Sequence, residues 1–173
     1  MRAAELTVSP TMAITPQIRA AIRGFNDIIL GGIPLLLRHN ETAFLSFMCS
    51  VAAIDALSGY RYTTDKVADR FQNFIKEYFP TSYLPHAENL YLLRCRILHN
   101  FSPAYFTLTH GNPSAHLQKS SIGDTVLSDD AFFADLAKAA AKFFGEVEID
   151  AGRQDAMNAR LLNIEKGGAI YYE

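Results

Sequence analysis

Residues Tyr91–Pro103 read YLLRCRILHNFSP, and the reading of this stretch decides which fold is expected of the chain. Leu90, Leu93, Ile97 and Leu98 recur at helical spacing, and Pro103 follows the last polar residues. The stretch is therefore read as the end of a helix running from about His86 to Asn100. Arg94 and His99 fall in its last turns with four residues between them. Two basic side chains set among apolar ones are either a site or the polar edge of a core helix.

Upstream, residues 1–14 read as a loose leader. Thr15 and Pro16 make a helix start, with Thr as N-cap and Pro at the first helical position. Ile18, Ile22, Phe25, Ile28 and Ile29 then share one face until Gly31, Gly32 and Pro34 break or kink the helix. Asn40 is expected to cap a second helix ending near Ser58, with Gly59 as its stop. Phe44, Leu45, Phe47, Met48, Val51, Ala52, Ile54 and Leu57 cover nearly its whole circumference, which predicts a central helix surrounded by others. Asp55 on that helix would be costly to bury alone, so it should meet a cation or a backbone donor. Thr63, Thr64 and Asp65 open a third helix with Val67, Phe71, Phe74, Ile75, Tyr78 and Phe79 on one face. Lys66, Asp69, Arg70, Asn73, Lys76 and Glu77 are assigned to its solvated face.

Downstream, Ala104–His110 (AYFTLTH) alternates and is rich in aromatic and β-branched residues, the pattern of a strand. With the turn Gly111-Asn112-Pro113-Ser114 and a second run at Ala115–Ile122, it predicts a small β-hairpin over 104–122, packed on the helices. Ser128, followed by Asp129 and Asp130, is expected to cap a fifth helix with Phe132, Phe133, Leu136, Ala139, Ala140, Phe143 and Phe144 on its apolar side, ending near Gly145. A last helical segment begins at about Arg153, and the chain closes on the tail GGAIYYE, together spanning 153–173. There is no internal repeat and no low-complexity linker, so residues 1–173 read as one mainly all-α domain of five to six helices.

The composition agrees with an ordinary globular chain: 173 residues, 49% hydrophobic and 20% charged. A net charge of −2 argues against a histone-like coat, which needs a broad positive field, and leaves room for a local basic patch. Cys49 and Cys95 lie inside apolar helical patterns and read as small buried hydrophobes in a reducing compartment. Neither a signal peptide nor a membrane span is expected, since Ala43–Leu57 falls short of about 18–20 residues and carries Asp55. A cytoplasmic protein without membrane partners follows. No P-loop, dinucleotide fingerprint, HExxH, CxxC, EF-hand loop or nucleophile elbow is present, and no cofactor is expected. His86, His99, His110 and His116 cluster within 31 residues. Three or four would have to converge to hold zinc, and histidines on a hairpin are more often surface residues, so no metal site is expected.

The Arg94-Cys95-Arg96-Ile97-Leu98-His99 segment, on the last core helix of an amphipathic bundle, resembles the HEPN superfamily, whose hallmark is an Arg, four to six residues, then a His. The resemblance covers roughly Pro16–Phe144, with the hairpin and C-terminal segment as additions. It implies an all-α HEPN-like bundle and a homodimer with paired motif helices around a shared groove. It also implies metal-independent cleavage of RNA that leaves 2′,3′-cyclic phosphate ends, with Arg94 and His99 as the catalytic residues. The position after the Arg, commonly Asn in active members, is Cys95 here, a departure that bears on catalysis and not on fold or dimerisation.

The chemistry agrees in kind. His99 can exchange a proton near neutrality, and Arg94 can stabilise charge on a phosphate oxygen. Five residues are about 140° of helical rotation, so the two share one face only if the helix unwinds or a second subunit completes the cleft. Arg96 would add a phosphate contact, and Asn100 and Tyr105 would orient His99 or the substrate. Against this stands a structural role, with Arg94 paired to Asp55 or Glu88 and His99 capping the helix end. The expected partners are a second copy of the chain, RNA or a nucleotide, and a cognate protein. The rival to an RNA-directed protein is a catalytically silent dimerisation module of the toxin–antitoxin or phage-defence kind.

Overall fold

The computed structural model describes residues 13–165. Nearly all of the leader expected over 1–14, and all of the closing GGAIYYE, lie outside them. Among the described residues the protein is mostly helical, with one small two-stranded sheet.

Helix α1 (Pro16–Phe25) starts as its sequence dictates: Thr15 Oγ1 accepts from the Ile18 amide, and Pro16 occupies the first turn. A π-helical turn at Asn26–Leu30 leads through Gly31 and Gly32 into the single turn α2 (Ile33–Leu36). A 3-10 turn at Asn40–Thr42 then feeds the central helix α3 (Ala43–Arg61), so Asn40 opens that turn instead of capping α3. Nor does Gly59 stop the helix. It lies inside α3, where the Arg160 guanidinium packs over it and a Cβ would sit 3.2 Å from Arg160 Nε.

Helix α3 packs against α2, α4 (Val67–Tyr78), α5 (Ala87–Asn100), α6 (Asp129–Ile149) and α7 (Ala151–Glu165). Phe47, Val51, Ala53, Ile54 and Leu57 are buried along it, and its buried Ser46 and Ser58 hydroxyls donate to the carbonyls of Ala43 and Asp55. Together Asn40–Arg61 make a helical run of 22 residues that contains an 18-residue window of mean hydropathy 1.5, longer than expected and sufficient in length and composition to cross a membrane. In this fold it serves as the core helix. A continuous aromatic layer fills the space around it: Phe132 stacks between Phe47 and Tyr83 and touches Phe79, and Phe143 meets Phe74 and Tyr78 edge-on.

The polar face assigned to α4 is corrected at two positions. Arg70 is buried, because it lies between Val67 and Phe74 inside the apolar stripe itself. Glu77 is a junction of four elements. Its carboxylate accepts from Arg61 Nη2 at 2.9 Å and from the Tyr62 hydroxyl, and lies 3.7 Å from Arg153 Nη1, which holds Glu146 through its other amine at 3.0 Å. Burial raises the Glu77 carboxyl, but the hydrogen bonds from Tyr62 and Arg61 outweigh it and hold the group below the usual carboxylate range. Gly145 likewise continues α6 where an end was expected.

The expected hairpin over 104–122 is also corrected. Its first strand is present as β1 (Phe106–Thr109), but β1 pairs with β2 (Thr125–Ser128), and the pairing is parallel. Instead of a second hairpin strand, Pro113–Ala115 forms a 3-10 turn. Residues 117–119 then run antiparallel along the other edge of β2, with Leu117 donating to the Val126 carbonyl and Val126 to the Gln118 carbonyl, both at 2.8 Å. Gly123, at φ 90°, makes the reversal that this requires. Ser128 holds the N-cap position of α6 as expected, yet its hydroxyl donates to Asp130, and the first helical amides are taken by Asp129 Oδ1 and Asp130 Oδ1.

Truncating Phe132 to alanine should remove about 3–5 kcal/mol of stability, as for other buried aromatic rings. Urea unfolding at unchanged m-value measures it; a loss under 1 kcal/mol, on the order of a surface substitution, would mean the aromatic layer is not the core.

Candidate functional site at the end of helix α5

Helix α5 buries Leu90, Leu93 and Ile97, and that stripe sets where every other side chain points. Arg94 turns toward α3, half-buried, and its Nη2 donates to Asp55 Oδ2. The other oxygen of Asp55 takes Arg70 Nη2 at 3.3 Å. One carboxylate thus bridges two guanidiniums from two helices, the cation that Asp55 was expected to find. The Nε atoms of both Arg70 and Arg94 are buried with no partner among the described residues.

His99 is exposed in the last turn and makes no side-chain hydrogen bond among the described residues. Five residues separate it from Arg94, about 140° around the helix. Within one chain, Arg94 faces inward and His99 outward. The structure instead groups His99 with Arg96 and Asn100, which share its face at i, i+3 and i+4 and are also exposed. The Arg96 guanidinium lies over the Tyr105 ring, 5.4 Å from its centroid. Phe101 ends the helix in the left-handed region at φ 51° and is 69% exposed, with its ring 6.3 Å from Phe44. Tyr105 is 48% exposed. The tip of α5 therefore carries two basic side chains, an amide and two accessible rings. Phe101 escaped the sequence reading because nothing in the pattern marks a left-handed cap at a phenylalanine.

The clustered histidines go separate ways. His110 Nδ1 lies 2.7 Å from the buried Asp129 carboxylate. His116 Nδ1 accepts from the Ser128 amide at 3.1 Å, so its Nε2 carries the proton and donates to the Tyr83 hydroxyl at 2.7 Å. Tyr83 in turn donates to Asp135 Oδ2 at 3.1 Å. This chain ties the 3-10 turn before α5 to β2 and α6. Burial pushes the Tyr83 hydroxyl far up and His116 down, the latter only partly opposed by Asp135 and Asp130. Burial and the nearby Lys119 lower His86 as well. No group of three or more His, Cys, Asp or Glu side chains able to hold a metal ion occurs among the described residues. Cys49 and Cys95 are free thiols, and burial raises that of Cys49. The Tyr83–His116–Asp135 chain was not legible in the sequence, since its members are spread over 52 residues. Arg70 was assigned to the solvated face, although its position three residues after Val67 and four before Phe74 was the signal that it belongs to the buried stripe.

No protein-family model matches the chain, and no curated protein or solved structure matches it either.

Asp55→Asn leaves two largely buried arginines without their counter-ion and should cost about 2–4 kcal/mol in chemical denaturation. A cost under 0.5 kcal/mol, on the order of a surface ion pair, would show that the three groups are independent.

His116 is neutral in the fold and titrates near its ordinary value of 6.5 when unfolded. Its contribution is complete above that value and is lost as pH falls through the lowered folded one. His116→Gln should therefore flatten the fall of stability as pH drops from neutral to mildly acidic, leaving the part due to His86. Urea midpoints across that range read the slope directly.

Proposed function

We propose that this chain is an RNA-binding protein of HEPN-like type that takes single-stranded RNA at the tip of α5. The observation that carries this reading is the Arg96 guanidinium lying over the Tyr105 ring, beside exposed His99, Asn100 and Phe101. Cations supply the sequence-independent attraction for phosphates, and accessible rings supply platforms for unstacked bases. A net charge of −2 suits such a patch, which acts locally and not through the field of the whole molecule.

Binding without cleavage is the reading we favour. Arg94 is engaged by Asp55, so its charge is compensated from within and turned away from His99. On this reading Arg94 orients α5, and substrate contact falls to Arg96, His99, Asn100, Tyr105 and Phe101. The sequence resemblance adds a homodimer, with the outward stripe Leu92, Cys95, Arg96 and His99 of two copies facing one groove. A metal-independent endoribonuclease is the second reading, and the exposure of His99 favours it, since a proton-transfer group must reach the 2′-hydroxyl. It requires a cation other than the engaged Arg94, from Arg96 or the second copy. A silent dimerisation module that binds only a protein partner is the outcome if RNA does not bind.

Fluorescence anisotropy with a labelled single-stranded RNA, in EDTA, tests the proposal. Phe101→Ala and Arg96→Gln should each weaken binding about ten-fold, in line with the loss of one stacked base or one phosphate contact. Intact RNA after long incubation supports binding alone. Cleavage to 2′,3′-cyclic phosphate ends that disappears in His99→Ala establishes the ribonuclease, and no binding at all leaves the silent module.

A further inference from the structure

On another side of Asp55, between α3, α4 and α7, lies a pocket of about 260 Å³ lined by Ala52, Asp55, Ala56, Tyr60, Arg70 and Arg160. We infer that this pocket is a binding site for a phosphoryl group, held by the guanidiniums of Arg70 and Arg160.

The charges around it do not balance. Asp55 is the only carboxylate in its lining, and its two oxygens are already taken by Arg70 and Arg94. Arg160 makes no ion pair among the described residues. Two guanidiniums, Arg70 and Arg160, therefore line the pocket against one carboxylate that Arg94 also pairs from outside it, an excess of positive charge that suits an anion. A structural ion-pair cluster would tend toward neutrality, because each uncompensated charge out of water is costly.

The donors do not balance either. The Arg70 side chain is only 8% exposed, yet of its five N–H groups a single hydrogen bond is formed, to Asp55. Its Nε is buried without a partner. The Nη amines, which are not closed off as Nε is, meet one acceptor among the described residues and so have donors left for a ligand in the pocket. Arg160 is half-buried and lies flat over Gly59, whose missing side chain allows the guanidinium to settle there. Ala52 and Ala56, one helical turn apart, keep the α3 wall low, and Tyr60 one turn further adds a phenol. Two guanidinium forks and a hydroxyl around a tetrahedral anion are the usual chemistry of phosphate recognition. Asp55, itself in the lining, holds Arg70 through one amine at 3.3 Å, and its own negative charge is compensated by Arg70 and Arg94.

This site stands on α3, α4 and α7 and does not depend on the proposed RNA surface at the tip of α5. The phosphoryl group has two possible sources, a small phosphate ester or the 5′-phosphate end of an RNA, and both present the same oxygens.

The test is isothermal titration and thermal unfolding of the full chain with inorganic phosphate, adenosine 5′-monophosphate and adenosine, against chloride at matched ionic strength. Phosphate and the monophosphate should bind and raise Tm, and adenosine should not. Arg160→Gln should weaken phosphate binding about ten-fold or more while leaving the ligand-free Tm close to that of the parent, since it breaks no internal ion pair. Phe101→Ala should leave phosphate binding unchanged, which separates this site from the RNA surface. A 5′-phosphorylated RNA that binds more tightly than its 5′-hydroxyl form, an advantage lost in Arg160→Gln, identifies an RNA end as the source. Equal binding of the two RNAs, with phosphate still bound, identifies a small ester. No phosphate effect beyond chloride, or phosphate bound equally well by Arg160→Gln, overturns the proposal.

Discussion

Everything in this protein is arranged around a helix that has helices on nearly every side. Helix α3 is buried against α2, α4, α5, α6 and α7, and it carries Asp55 into that packing. A carboxylate there is tolerable only with charge brought to it. Arg70 from α4 and Arg94 from α5 bring that charge, one to each oxygen. The triad thus does more than satisfy a polar group, because it sets how α4 and α5 are rotated about their own axes. Apolar packing alone tolerates some rotation, whereas two ion pairs to one carboxylate tolerate little.

The rotation decides what the surface offers. With Arg94 turned inward, the outward stripe of α5 ends in Arg96, His99 and Asn100, and the left-handed cap swings Phe101 into solvent beside Tyr105. On the α4 side, the same carboxylate leaves most of the Arg70 donors unspent, next to Arg160. Two surfaces of different character, one aromatic and basic, one a cationic pocket, are therefore linked through a single half-buried acid. They report on different chemistry and can be altered separately.

A second polar junction lies where α3 and α4 end. Glu77 and Glu146 gather Arg61, Tyr62, Tyr78 and Arg153 from α3, α4, α6 and α7, and the segment following α3. Where these helix ends meet, the polar groups hold one another instead of solvent. The small sheet is secured in the same manner, by His116 and Tyr83 on one side and by His110 with Asp129 on the other. Such networks specify one arrangement because each member left unpaired would be costly.

Periodicity was enough to read the helices, the apolar girth of α3, the N-cap at Thr15 and the end of α5 before Pro103, since these depend on neighbours three and four residues away. The need of Asp55 for a cation was equally legible, because burial of a charge is expensive whatever the fold. The strand at Phe106–Thr109 was legible too, but its partner was not. Strand pairing joins distant segments, and Thr125–Ser128 carries no local mark that it should lie parallel to it. Gly59 and Gly145 look like helix ends in sequence and lie within helices in the fold. At Gly59 the missing side chain leaves room for Arg160, which only α7 could bring. Whether Arg94 and His99 meet was the question the sequence posed most sharply. Within one chain tertiary structure turns them apart, because the direction of a side chain on a helix is set by which neighbour its buried stripe packs against. For Arg94 that neighbour is α3, where an acid was waiting 39 residues away.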